Sequence, residues 1–518
     1  MVPKRFSIFF GEMHDNTHQA DDPDFNMEQV MEKAQSHLDF YAAAYYPTTS
    51  PAFSSLGHPS EETGPLPLNI ENWKTPERIE KEWKDSCAAM EKFNKPGKFV
   101  TFPGYEWQGN AVAGDHNVFF FDDYPELIQC DTLEELYRAL KRVKAIAIPH
   151  HTAYLPGFRG KDWSVLSPEL SPFCEIYSVH GSSEGEMWGG ALLDNAFLAP
   201  DLTCSSYSAA LKRGCILGAI GSTDNWGEFP GHYGRGLAAV LAENLSREGL
   251  WEAFSQRRVY AVTGDRIKLD FTINDKLMGS CNGQTDSACI RVDVEGEDAI
   301  EYVEIVKNEK SLQLLGPPES PLNVEKGLYK MRFEYGWGPS PSYAQMPPRN
   351  WSGEITVKNG RIKSLSTGLV DGFHKYSHNE KSFTFSSLVS QKEADYRHHN
   401  SFVLEFELDD SSVLLFDING CKCQFTPETL LEESYVHFYT DESRQLLKER
   451  YNVDTGKLYR QDVVYGMAYK FKIHKLIPQQ LYSRSITVSD KTKGPCHYRI
   501  RVRQRNGQMA MSSPIWFK

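Results

Sequence analysis

Hydrophobic and polar positions follow two rhythms along the chain. Short apolar runs at residues 6–10, 99–103, 117–121, 145–148, 174–179, 216–220 and 237–242 have the length and content of buried strands. Between them, residues 26–37, 76–93, 132–143, 205–213 and 246–255 carry helix-like segments. This alternation predicts an α/β region with a parallel sheet, crossover helices and enough units to close a barrel. The rhythm changes near Gly264. Beyond it, segments such as 266–273, 288–294, 401–408 and 497–504 read as strands, several with the period-two pattern of half-exposed antiparallel strands. They predict a β-rich, sandwich-like region.

Composition narrows the reading. The 518 residues are enough for two or three domains, and 40% hydrophobic with 24% charged residues describes a globular chain. A net charge of -13 without a basic stripe argues against nucleic-acid binding. It does not exclude a small anionic substrate, because bound cations can dominate a local field. The ten cysteines show no framework spacing, which fits reduced thiols. The apolar run after Arg5 is too short for a signal peptide, and no run is long enough to span a membrane. The expectation is a cytoplasmic protein without a membrane partner.

The histidines change the picture most. Five strand-like runs are followed within a few residues by His14, Glu106, His150, His180 and Asp224. In a barrel of parallel strands those ends converge on one rim, where active sites sit. Imidazole and carboxylate together suit Mn, Fe or Zn. One histidine alone is more often a packed or hydrogen-bonded residue; the recurrence at five strand ends is what points to a metal site.

The motifs around these residues resemble the polymerase-and-histidinol-phosphatase (PHP) superfamily of metal-dependent phosphoesterases, most closely its bacterial branch of unknown function. Gly11-Glu12-Met13-His14-Asp15-Asn16-Thr17 is similar to the opening motif G-D-L-H-x-H-T. Gly104-Tyr105-Glu106-Trp107, Ile148-Pro149-His150, Ser178-Val179-His180-Gly181 and Gly221-Ser222-Thr223-Asp224-Asn225 resemble later signatures. The resemblance implies a distorted TIM-like (β/α)7 barrel over residues 1–265, followed by a β-sandwich-like accessory region over 266–518. It also implies a first metal held by His14, Asn16, Glu106 and Asp224, with Glu106 bridging to a second held by His150 and His180. Three positions depart from the pattern. Asn16 stands where a second histidine is usual, Tyr45-Tyr46 replaces Asp-His, and Trp226 replaces the last histidine. A reduced centre of one or two ions follows, with Tyr46 and Trp226 walling the vacated position.

The reaction implied is hydrolysis of a phosphoester by metal-activated water. A related ester, a sulfate or a C–N bond is an alternative substrate class, and a degenerate barrel that binds without turnover is another. His116 and His151, each beside a ligand strand, are candidates for acid catalysis or for orienting a ligand. Arg159 and Arg235, with His232 nearby, lie on glycine-rich loops and are candidates for holding the substrate anion.

Overall fold

The first apolar run is the outer part of a longer strand. The computed structural model describes residues 6–18, 26–47, 74–157, 159–185, 191–194, 196, 204–225, 229–317, 326–338, 348–389, 399–457 and 468–518. In chain order its first region contains β1 (Ser7–Thr17), α1 (Met27–Gln35), β2 (Phe40–Tyr45), α2 (Pro76–Phe93), β3 (Val100–Phe102), β4 (Gly104–Trp107) and β5 (His116–Phe120). These are followed by α3 (Leu133–Leu140), β6 (Ala145–Pro149), β7 (Phe173–Ser178), β8 (Gly181–Ser182), α4 (Tyr207–Lys212), β9 (Gly218–Gly221), β10 (Leu237–Ala242), α5 (Arg247–Ser255) and β11 (Val259–Val262). The helices start where capping chemistry allows. Thr75 caps α2 ahead of Pro76, and Thr132 and Glu135 form a reciprocal capping box on α3.

The strand directions correct the expected parallel barrel. β1 pairs with β2 in parallel, and β2 with β3 and β4 likewise. β5, however, runs antiparallel to β4, and β6 antiparallel to β5. The segment between β4 and β5 is shorter than the about a dozen residues a parallel crossover needs, so β5 returns as a hairpin. β10 is antiparallel to both β1 and β11. The main sheet is therefore mixed, and its ladder runs open from Cys281–Asn282 through β11, β10, β1 and β2 to β6. β7, β8 and β9 form a separate three-stranded sheet, with β7 beside β6 and β9 beside β10 and β11. Among the described residues no ladder closes a barrel; the fold is mixed α/β with many strands and few helices.

This reversal shapes the site. Trp107 on β4 pairs with His116 on β5, and His116 pairs with Pro149 on β6. The end of β4, the start of β5 and the end of β6 thus share one edge, which brings Gln108, Asp115 and His150 to the same rim.

The main sheet continues into the C-terminal part of the chain. β11 pairs with Met509–Ser512, which pairs with Cys496–Gln504, and Ile300–Lys307 lies on the far side of that strand. One apolar core joins Phe10, Tyr41, Leu241 and Tyr260 to Leu269, Phe271, Ile500 and Val502. The chain accordingly divides into a unit of residues 1–296, 300–316 and 484–518 and a second unit of residues 297–299 and 317–483. This division differs from the change of rhythm near Gly264, because strands beyond that point complete the core begun by β1. A buried ion-pair network reinforces the first unit: Arg499 meets Glu184 and Glu309 (2.7 Å), and Arg501 meets Glu184 (2.6 Å) and Glu304 (3.1 Å).

The second unit holds two antiparallel sheets. One is built around Gly327–Gly336 and His399–Leu408, the other around Arg349–Lys358 and Ser382–Val389. They meet through aromatic rings: Phe333 and Tyr335 from the first contact Phe385 of the second at 5.6 and 4.8 Å between centroids. The ten cysteines form no disulfide. No helix among the described residues is long and apolar enough to cross a membrane.

Candidate metal centre

His14 sits in an irregular stretch of β1. The pairing with β2 slips between Glu12 and Asp15. Such bulges re-aim side chains and recur beside active sites. The buried Glu12 carboxylate fixes the local backbone: it accepts from the amides of Met13 (3.0 Å), His14 (2.8 Å), Thr223 (3.1 Å) and Gly231 (3.1 Å), and from the Ser222 hydroxyl (2.7 Å). The loop carrying Asp224 is zipped onto β1 by Asn225 N–H to His14 O (3.3 Å) and Asn16 N–H to Asn225 O (2.6 Å). Sequence reading gave Glu12 no role. Its signal is a carboxylate inside a fully buried strand, which needs donors around it.

Around His14 the acidic and imidazole groups converge. His14 Nδ1 hydrogen-bonds Glu175 Oε2 at 2.9 Å, while Nε2 lies 3.2 Å from Asp224 Oδ1 and 3.6 Å from Glu106 Oε2. His150 Nε2 lies 3.5 Å from Glu106 Oε1, and His180 Nε2 3.0 Å from Asp224 Oδ2. The His14 and His150 rings are 4.3 Å apart. Two sets of ligand-type atoms lie within 4.8 Å of one another: His14, Glu175 and Asp224, and Glu106, Asp115, His150 and His151. Glu106 stands between the sets, near both His14 and His150. These buried clusters of His, Asp and Glu can hold metal.

Unused hydrogen-bonding capacity tests the fit of an ion. His14 Nε2, Glu106 Oε2, His150 Nδ1 and Nε2 and Asn16 Oδ1 are buried without a hydrogen-bond partner, although several lie near one another. Buried polar atoms are normally satisfied. Lone pairs brought together without mutual hydrogen bonds are what a cation would satisfy, so the donor set fits a divalent ion. The carboxylates and His150 agree, while His14 and His180 are raised, burial being outweighed by Asp224, so a cation there would take the place of the protons these two imidazoles carry. Burial raises the cost of charging Asp224, but His14 and His180 outweigh it and hold the carboxyl down at about 2. Glu106 is likewise held well below the carboxylate range, burial being overcome by His14 and His150. His150 is pushed down to about 4 by burial and by the neighbouring His14. Ionised carboxylates and a neutral imidazole are the forms that bind metal.

The other expected residues divide. His151, beside His150 (4.3 Å between rings), accepts from Arg159 Nη2 at Nε2 (3.1 Å). Arg159 Nε donates to Asp115 at 2.6 Å. Tyr46 lies close by, its hydroxyl accepting from Gln108 Nε2 (2.8 Å), which also donates to Glu106 Oε1 (2.9 Å). Asn16 Nδ2 donates to Asp224 Oδ1 at 3.3 Å. Arg235 reaches Asn225 Oδ1 at 2.5 Å, next to Asp224 in the chain, and His232 Nδ1 bonds the Tyr233 carbonyl at 3.0 Å. Trp226 lies outside the described residues.

His116 is not brought in. Its Nδ1 bonds Gly114 O (3.0 Å), its Nε2 meets the Tyr137 hydroxyl (3.3 Å), and its ring packs against Trp107. Neighbouring residues on a strand face opposite ways, so Asp115 takes the site face and His116 the other. Sequence reading missed Asp115 and also Glu175, a lone carboxylate in the otherwise apolar β7. Backbone conformations add a mark of function: Asp224, His151 and Arg159 have φ of +51°, +30° and +64°. Such left-handed residues cost energy and cluster at functional sites.

Comparison with known proteins places part of the chain. The sequence model of a family described as "Protein of unknown function (DUF3604)" matches residues 7–157 and 224–285. An uncharacterized protein of Chlamydia pneumoniae is 27% identical over 271 residues, 47% of this chain and 42% of that protein. One from Chlamydia trachomatis is 28% identical over 334 residues, 59% and 51% of the two chains. The chain thus spans about half the length of the curated relatives it matches. Among solved structures, a two-domain protein from Bacteroides vulgatus "containing predicted PHP-like metal-dependent phosphoesterase" aligns over 82% of this chain and 97% of its own, with 12% identity and a TM-score of 0.30.

Proposed function

We propose that the protein is a metal-dependent hydrolase acting on phosphoesters of small molecules. The observation that carries this reading is the set of buried, unpartnered ligand atoms on His14, Glu106 and His150, gathered around Asp224. In this reading His14, Asn16, Glu106 and Asp224 hold one ion, and Glu106, His150 and His180 hold a second. The donors suit Mn, Fe or Zn. An ion bound there would act as a Lewis acid and lower the pKa of a coordinated water towards about 7.

The chain's own residues supply the rest. Arg159 is fixed by Asp115 through its Nε (2.6 Å) and directs Nη2 to His151 (3.1 Å), which orients that imidazole. Arginine only donates, so His151 accepts at Nε2 and carries its proton on Nδ1. That buried Nδ1 has no protein partner, so its N–H is placed to donate to a substrate oxygen. Glu175 holds the tautomer and ring orientation of His14, as carboxylates behind metal-binding histidines do. The departure from the PHP pattern at Tyr46 leaves a hydroxyl, held by Gln108, where a ligand is usual.

Elemental analysis of the purified protein, with hydrolysis assays on phosphomonoesters, phosphodiesters and sulfate esters, tests the proposal. The expectation is bound Mn, Fe or Zn and turnover of phosphoesters, with at least a 100-fold loss of activity in Glu106→Ala and Asp224→Ala. Retention of both metal and activity by these variants would falsify it.

A further inference from the structure

A cavity of about 180 Å³ opens beside Glu106, lined by Tyr46, Tyr105, Trp107, Gln108, Cys130 and Asp131 among others. That is room for one six-membered ring, and well under the roughly 300–1,000 Å³ of sites for drug-sized ligands. The walls are aromatic and fixed. Trp107 is held by its indole N–H to Cys130 O (2.8 Å), and Tyr105 is buried and stacked on Phe120.

The polar groups at the cavity are few. Gln108 spends its Nε2 on Tyr46 and Glu106. Among the described residues its Oε1 has no donor, and the Tyr46 hydroxyl has no acceptor. A ligand hydroxyl, which both donates and accepts, would satisfy both, and an ammonium would satisfy Gln108 Oε1. The lining charges are the carboxylates Glu106, at the inner end, and Asp131, at the exposed rim. The nearby cation, Arg159, is paired with Asp115 at 2.6 Å. Nothing in the lining compensates a negative group on a ligand, whereas aromatic faces favour the flat face of a ring and tolerate a cation.

We propose that this cavity is the leaving-group subsite, and that it takes a single polar ring, neutral or cationic, such as a sugar or amino-sugar. The proposal rests on the hydrolase reading for the identity of the ring as a leaving group, but not for its binding. The scissile bond would then lie at the inner end, by Glu106, with the ring directed outwards past Gln108.

Binding of the ring alone separates the two ideas. The full-length protein, before and after addition of Mn, is titrated with glucose, glucosamine and glucuronate, and followed by saturation-transfer NMR and tryptophan fluorescence. Glucose and glucosamine are expected to bind in the millimolar range, and glucuronate at least 10-fold more weakly. Gln108→Ala and the cavity-filling Cys130→Phe should each weaken glucosamine binding at least 10-fold with an unchanged far-UV spectrum; should Cys130→Phe misfold, Cys130→Met takes its place. Absence of ring binding, equal binding of glucuronate, or wild-type binding by the correctly folded variants would overturn the subsite. Loss of metal or hydrolysis in an otherwise ring-binding protein would instead overturn the hydrolase reading.

Discussion

Single side chains at this site are positioned by partners that are themselves buried. His14 depends on Glu175 at one ring nitrogen and faces Asp224 and Glu106 with the other. Glu175→Gln keeps the shape but weakens the hold on the His14 ring. Metal affinity should fall about 10–100-fold, measured by competition with a chromophoric chelator, while the melting temperature changes little. Unchanged affinity would remove Glu175 from the site. At this scale the sequence was informative where motifs recur: His14, Glu106, His150, His180 and Asp224 were legible after strand-like runs, and they stand in a chain of neighbours, His180 by Asp224, Asp224 and Glu106 by His14, and His150 by Glu106. Glu175 and Asp115 were hidden because their meaning depends on which face of a strand looks inwards. His116, a candidate because it lies beside a ligand strand, is instead bonded to Gly114 O and the Tyr137 hydroxyl.

The strands and helices were easier to read than their pairing. Apolar runs marked β5, β6, β7, β9 and β10, and helix-like segments marked α2 and α3. Hydrophobic period carries no direction, so the antiparallel return of β5 was invisible, although the short Gln108–Asp115 connection held the clue. The close approach of β4 to its neighbours is enforced at Gly104. A Cβ there would lie 2.4 Å from Ala43 O and 2.7 Å from Val118 O, both backbone atoms that cannot swing away. Gly104→Ala should cost about 1–3 kcal/mol, seen as a lower denaturation midpoint. It should also loosen the site, because Glu106 and Gln108 follow within four residues. A variant as stable as the parent would contradict the observed pairing.

At the scale of the whole molecule, the first unit is completed by strands far along the chain, and buried charges help join them. Glu309 is buried, which opposes its ionisation. Arg499, together with donors from His497 and Ser208, overcomes this and holds its carboxyl well below the usual range. A depressed folded pKa stabilises the fold above the ordinary carboxylate value of about 4.3, and that stability is lost as pH falls below it. Glu309→Gln should therefore lower the melting temperature at pH 7 and flatten its decline below about pH 4.3. An unchanged acid limb would show that the network does not govern acid stability. The sequence could not reveal this joining, since a change from helix-rich to strand-rich pattern looks like a domain boundary even when the new strands extend the old sheet.

The central claim is that Glu106 and its neighbours form a metal centre. Calorimetric titration of chelator-treated protein with Mn or Zn addresses it most directly. One or two ions should bind per chain, and Glu106→Ala, which removes the carboxylate shared by both clusters, should abolish or reduce that number at wild-type folding. Binding of no ion by the wild type, or an identical stoichiometry and affinity in Glu106→Ala, would contradict it.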